Sequence, residues 1–144
     1  MNPTSTVSAE LDIRLVVPEE TVIPLLAGLH YAAEDPYAVR VSFHVGLDEP
    51  VEWSFGRELL AMGVAGPAGL GDVKVWPAAD SVSDLRGVVL NIELSSPYGE
   101  ARFEASAREV SDFLRRTYRV VPQGRESERF DIEDKLADLL RESL

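Results

Sequence analysis

The chain has 144 residues, 45% hydrophobic and 27% charged, which is the composition of one folded domain rather than of a disordered segment. It contains no cysteine, which removes disulfides, thiolate nucleophiles and cysteine-ligated metals from consideration. A formal net charge of −11 sets its surface against nucleic-acid backbones and anionic lipid.

Met1 to Ser8 carries no basic residue and no apolar core of a leader, and no apolar run approaches the roughly 20 residues of a membrane span. A soluble, cytoplasmic, single domain over residues 1–144 is therefore expected, with a short disordered stretch at about 1–6. Val7, Ala9, Leu11, Ile13, Leu15 and Val17 alternate with polar residues, the period-two signature of a half-buried strand that ends at Pro18. Val22, Ile23, Leu25 and Leu26 suggest a second strand, interrupted at Pro24 and Gly28. Alternation returns in Val39, Val41, Phe43 and Val45. Gly46 to Pro50 then reads as a hairpin loop leading to Val51, Trp53 and Phe55 on one face of a fourth strand.

Arg57 to Val64 changes period and predicts a short helix. The Gly/Pro/Ala-rich segment Gly63 to Gly71 reads as a loop, and Val73 and Val75 with Trp76 make a short strand stopped by Pro77. Val88, Leu90, Ile92 and Leu94 alternate cleanly. The turn at Ser96-Pro97-Tyr98-Gly99 sends the chain back through Ala101, Phe103 and Ala105. From Ala107 the period is helical: Val110, Phe113, Leu114, Thr117, Tyr118 and Val121 share one face, and Arg108, Asp112, Arg115, Arg116 and Arg119 share the other. Asp131 can cap a final helix whose apolar face is Ile132, Leu136, Leu139 and Leu140. The expected fold is α+β, with antiparallel sheets of about seven strands, a short middle helix and two C-terminal helices. A strand-rich half is repeated around a helix, without a sequence repeat to match.

Chemistry-bearing patterns are scarce. His30 and His44 lack a second histidine or a carboxylate at ligand spacing and read as surface residues. The glycines at 66, 69 and 71 match neither a Walker loop nor a dinucleotide fingerprint, and no Gly-x-Ser-x-Gly elbow occurs. Carboxylates adjacent in sequence, such as Glu19-Glu20 and Asp48-Glu49, point apart and read as solvated surface. No catalytic, cofactor-binding or metal-binding residue is assigned. Candidate protein-contact residues are the arginines Arg108, Arg115 and Arg119, which read equally as a solvated helix face, with Asp112 and Glu109 near Arg116 at helix-pair spacing, and Trp76, which falls opposite Val73 and Val75 and reads as a subunit contact or as core of a second layer. Trp53 reads as core, and Tyr98 as core or interface.

Longer stretches carry a resemblance. Asp35-Pro36-Tyr37-Ala38-Val39, Val51-Glu52-Trp53 and Phe55-Gly56-Arg57-Glu58-Leu59-Leu60-Ala61 are followed by Gly71-Asp72-Val73-Lys74-Val75-Trp76-Pro77, Leu94-Ser95-Ser96-Pro97-Tyr98-Gly99-Glu100-Ala101 and Phe113-Leu114-Arg115-Arg116-Thr117. Together, in collinear order over residues 7–142, they resemble the SsgA-like proteins of sporulating actinobacteria, most of all the SsgB-type members. Ser106 departs from the proline-bearing version of this junction associated with the family. The resemblance implies a non-enzymatic role in sporulation-specific septation, at division septa, through recruitment of the tubulin-like GTPase FtsZ. It further implies a homotrimer, an SsgA-type paralogue as a candidate partner, and a fold similar to the Whirly and mitochondrial guide-RNA-binding proteins. No direct membrane insertion is expected. Single-stranded nucleic-acid binding of the Whirly type is the alternative reading, which the acidic balance opposes.

Overall fold

The computed structural model describes residues 6–17, 21–44, 49–79, 87–97, 99–127 and 136–141. Alternation along β1 (Thr6–Val17) buries Val7, Leu11 and Ile13 and leaves Ser8, Glu10 and Asp12 exposed. It pairs over its whole length with β2 (Thr21–Ala32), which pairs with β3 (Ala38–His44), and β3 with β4 (Val51–Gly56), all antiparallel. Helix α1 (Arg57–Ala65) leads into a second meander of β5 (Ala68–Leu70), β6 (Val73–Ala79), β7 (Val88–Ser96) and β8 (Gly99–Ser106), and α2 (Ala107–Val120) closes it. The eight strands form one sheet in the order β4-β3-β2-β1-β8-β7-β6-β5, so two four-strand-plus-helix units lie side by side. The repeated half expected from the element order is thus present, without any need for a sequence repeat.

Three expectations are corrected. The sheet has eight strands among the described residues, not about seven, because Ala68–Leu70 pairs with Val73–Val75 inside the segment read as a loop. The second strand is continuous through Pro24 and Gly28. Among the described residues β3 pairs with β2 from Leu26 to His30, so none of those pairs needs an N–H from Pro24. Strand β6 is not stopped by Pro77 but runs on to Ala79, with Pro77 opposite Leu90. Of the two C-terminal helices, α2 is as expected, while the second is described only at 136–141. Its proposed cap Asp131 and Ile132 lie outside the described residues, as do Tyr98 and the loop at 45–48.

Among the described residues the two units meet in the sheet along three residue pairs, Arg14–Val16 of β1 against Arg102–Glu104 of β8. Side chains do the rest. Phe43 of β3 stacks on Phe103 of β8 with ring centroids 4.2 Å apart, although two strands separate them. Three inter-strand steps in a flat sheet would hold them roughly 14 Å apart, so the sheet curls. The concave side holds the core, in which Leu11, Ile13, Leu60, Ile92 and Val110 belong to one cluster. Helix α1 lies against β6 so closely that a Cβ on Gly63 would stand 2.2 Å from Val75 Cγ1. Ser106 caps α2, accepting the Glu109 N–H at 3.2 Å, a cap worth about 1 kcal/mol.

One cation joins the units. Arg57, the first residue of α1, is 1% exposed. Its guanidinium lies 4.2 Å from the Tyr118 ring centroid and 5.0 Å from that of Tyr31. It donates to the carbonyls of Thr117 (3.3 Å) and Val121 (2.7 Å) at the end of α2 and to Glu126 Oε1 (2.9 Å). Tyr31 in turn donates its hydroxyl to the Pro36 carbonyl at 3.1 Å. Burial pushes the Tyr31 hydroxyl up to about 12, against the pull of the Arg57 charge, and raises Tyr118 in the same way. Glu126 is held below the ordinary carboxylate value of 4.5 by its own backbone N–H and then by Arg57.

Gly63→Ala should destabilise the fold by about 1–3 kcal/mol through overpacking, and adding Val75→Ala should recover part of that loss; urea denaturation of the double-mutant cycle checks the close approach. Arg57→Met should cost about 3 kcal/mol, since it strands a half-buried carboxylate and two carbonyls, with Arg57→Lys intermediate. Glu126 has a depressed folded pKa, so its stabilisation is complete above pH 4.5 and is lost as pH falls through the folded value. Glu126→Gln should therefore be less stable than the parent at pH 7, and the gap should narrow at pH 3.

Candidate protein-contact surface

Capping at one end and the Arg57 guanidinium at the other fix α2 against the sheet, with Val110, Phe113, Leu114 and Thr117 buried. That packing turns Arg108, Glu109, Asp112, Arg115, Arg116 and Arg119 to solvent, as the helical period predicts. Four arginines stand against two carboxylates on this face, in a chain whose net charge is −11. Asp112 pairs with Arg115 at 3.2 Å and not with Arg116, which instead donates to the Ser8 carbonyl on β1 at 3.2 Å. The ion pair is exposed and contributes at most a few tenths of a kcal/mol, so it leaves Arg115 available to a partner. Glu109 in the first turn and Arg119 in the last both suit the helix dipole.

Trp76 does not join this surface. It is half-buried on β6, on the side opposite Val75, whereas α2 packs on the side that Val75 shares with the core. Sequence reasoning missed what Trp76 does sit beside. The strand registers place Trp76, Asn91, Glu104 and Arg14 in one row across β6, β7, β8 and β1. Glu104 bridges Arg14 at 3.4 Å and Arg102 at 3.3 Å, and Arg102 donates to the buried Asn91 Oδ1 at 2.6 Å. The outward alternation of Arg14, Arg102 and Glu104 was available as a signal, but their register across strands distant in sequence was not. The convex face thus carries an ordered ionic network beside an aromatic ring, and the opposite side carries the arginine face of α2.

The remaining polar candidates stay apart. Ser8 Oγ lies 2.9 Å from His30 Nδ1 on the open face of the sheet, and His44 is exposed. Among the described residues no group of three His, Asp or Glu could hold a metal ion, and no helix is long and apolar enough to cross a membrane. Trp53, read as core, is half-buried at its margin, stacked near Phe55 with centroids 6.3 Å apart.

Comparison with known proteins adds what geometry alone leaves open. Residues 25–126 match the family described as Streptomyces sporulation and cell division protein, SsgA. The chain is similar to the sporulation-specific cell division protein SsgB of Streptomyces coelicolor, 52% identical over 139 residues that cover 96% of this chain and 98% of that one. It is also similar to SsgB of Thermobifida fusca, 46% identical over 136 residues, covering 94% and 96% of the two chains. The crystal structure of the SsgA-like sporulation-specific cell division protein from Thermobifida fusca superposes on 96% of this chain with a TM-score of 0.83.

Proposed function

The chain belongs to the SsgA family of sporulation and cell division proteins and is most like SsgB, and from that premise we propose that it is a non-enzymatic adaptor recruiting FtsZ to septum sites and promoting its assembly. Its relatives, named for sporulation-specific cell division, give it a role in that process. The observation that carries the adaptor reading is the outward face of α2, where Arg108, Arg115 and Arg119 stand free of the core on a helix fixed at both ends. A rigid, locally cationic face on an acidic protein suits recognition of an acidic protein partner, because little ordering entropy is lost on binding.

In this reading the protein works in the cytoplasm at division septa as a homotrimer, with an SsgA-type paralogue as a second partner. Several copies of one weak contact surface on a trimer bridge filaments by avidity. The edge strands β4 and β5 leave backbone groups that subunit contacts would cover. The fold likeness to Whirly proteins belongs to the same proposal, without their nucleic-acid binding.

Co-sedimentation with FtsZ from the same organism tests the reading. FtsZ with GTP should carry the protein into the pellet and more FtsZ should sediment than alone. Arg115→Glu with Arg119→Glu should lose this enrichment while keeping the parent's thermal stability. Unchanged sedimentation of that variant would move the contact away from α2, and absence of co-pelleting by the parent would end the direct-recruitment reading.

A further inference from the structure

The concave side of the sheet is only partly roofed by α1 and α2. Beyond them lies a concavity of about 330 Å³, walled by Leu15, Leu25, Phe43, Val51, Trp53 and Phe103, at the end of the first four strands away from Arg57. Its wall is mainly aliphatic and aromatic, with Ser95, Ser96 and Glu100 at one side, and Val51 is 51% exposed. Elsewhere in the same chain, the helical residues 136–141 carry the complement. Leu136 and Leu139 are 53% and 61% exposed, with Leu140 beside them on the same face, while Asp138 and Arg141 pair with each other at 2.6 Å. A short helix exposing leucines gains little from its own backbone in water and draws its stability from packing that face.

We propose that the leucine face of helix 136–141 docks into this concavity of its own chain and completes the helical cover of the core. Chain length and anchoring favour the chain's own helix. Glu126 is held to Arg57 at 2.9 Å, so the tail departs from a fixed point. Arg57 follows β4 directly, and Trp53 in the concavity wall lies four residues earlier, roughly 13 Å away at about 3.3 Å per strand residue. Ten residue steps separate Glu126 from Leu136. Such a tether spans about 15 Å if wholly helical and at most roughly 35 Å if extended, which covers the distance in either form. The docked helix would take the same side of the sheet as α1 and α2, and the inference stands or falls without regard to FtsZ.

The cysteine-free sequence makes the test clean. With Trp76→Phe, Trp53 is the sole tryptophan and reports from the wall. Leu136→Ser with Leu139→Ser, both at exposed positions, should then shift Trp53 emission to the red and raise its quenching by acrylamide, with the far-ultraviolet sheet signal retained. In a second arm, Val51→Cys with Leu139→Cys should oxidise to a disulfide within one chain. The control Leu70→Cys with Leu139→Cys, which uses an exposed site on β5, should not. Unaltered Trp53 emission, or equal cross-linking of the control, would overturn docking. A disulfide-linked dimer in place of the internal loop would overturn it in favour of a second copy as the occupant.

Discussion

The buried Arg57 guanidinium is the constraint on which the arrangement of the two units depends. A cation at the first residue of a helix opposes that helix's own dipole. The side chain resolves the conflict by carrying its charge away from α1 to the C-terminus of α2, where the carbonyls of Thr117 and Val121 accept its protons and the dipole favours it. Arg57 belongs to the first four-strand-plus-helix unit, and Thr117, Val121 and Glu126 follow from the second. Among the described residues the sheet joins those units through three residue pairs. A charge that is 1% exposed needs acceptors and aromatic faces around it, and Tyr31 and Tyr118 supply those faces from opposite units. Relative movement of the units would break those bonds together.

Much of the fold was legible because burial and period coincide. β1, β3 and β8 alternate cleanly, and each buries the face its pattern marks, whereas β7 is buried on both faces from Val89 to Ile92 and leaves Val88 exposed. α2 exposes the polar face that its 3.6-residue period marks. Legibility failed where a structural reason lies outside the local window. Pro24 and Gly28 argue against a strand in isolation, yet Pro24 lies outside the described pairs of β2 with β3 and Gly28 leaves ordinary room beside Ser42. Ala68–Leu70 is too short to show any period and exists because β6 offers it an edge.

Arg57 was invisible for a different reason. Arginine is read as a surface residue, and the partners that bury this one lie 26, 60 and more positions away. The adverse placement of a cation at the start of a predicted helix was the single local sign. The contact surface was legible in part: helical period alone put Arg108, Arg115 and Arg119 on one exposed face. Which arginine pairs with Asp112 was not, since i,i+3 and i,i+4 neighbours compete on equal terms and the choice of Arg115 follows from Arg116 reaching across to Ser8. Protein-contact surfaces have no fixed spacing of the kind that metal or phosphate sites have, and Trp76 could not be placed relative to α2 without the sheet's two sides.

The same interactions that hold the fold also prepare its surface. The Ser106 hydroxyl fixes the start of α2, the Arg57 guanidinium fixes its end, and Phe113 and Leu114 lock its rotation about its own axis. The arginines between those anchors therefore move only in their side chains. On a helix free to fray or roll, a partner would first have to order the backbone, and the loss of entropy would weaken every contact. Placing the cationic face on a helix anchored at both ends separates stability from recognition in an acidic molecule: Arg115 and Arg119 can change sign without touching the core, whereas Arg57, 58 and 62 positions before them, cannot be altered without releasing the end of the helix that presents them.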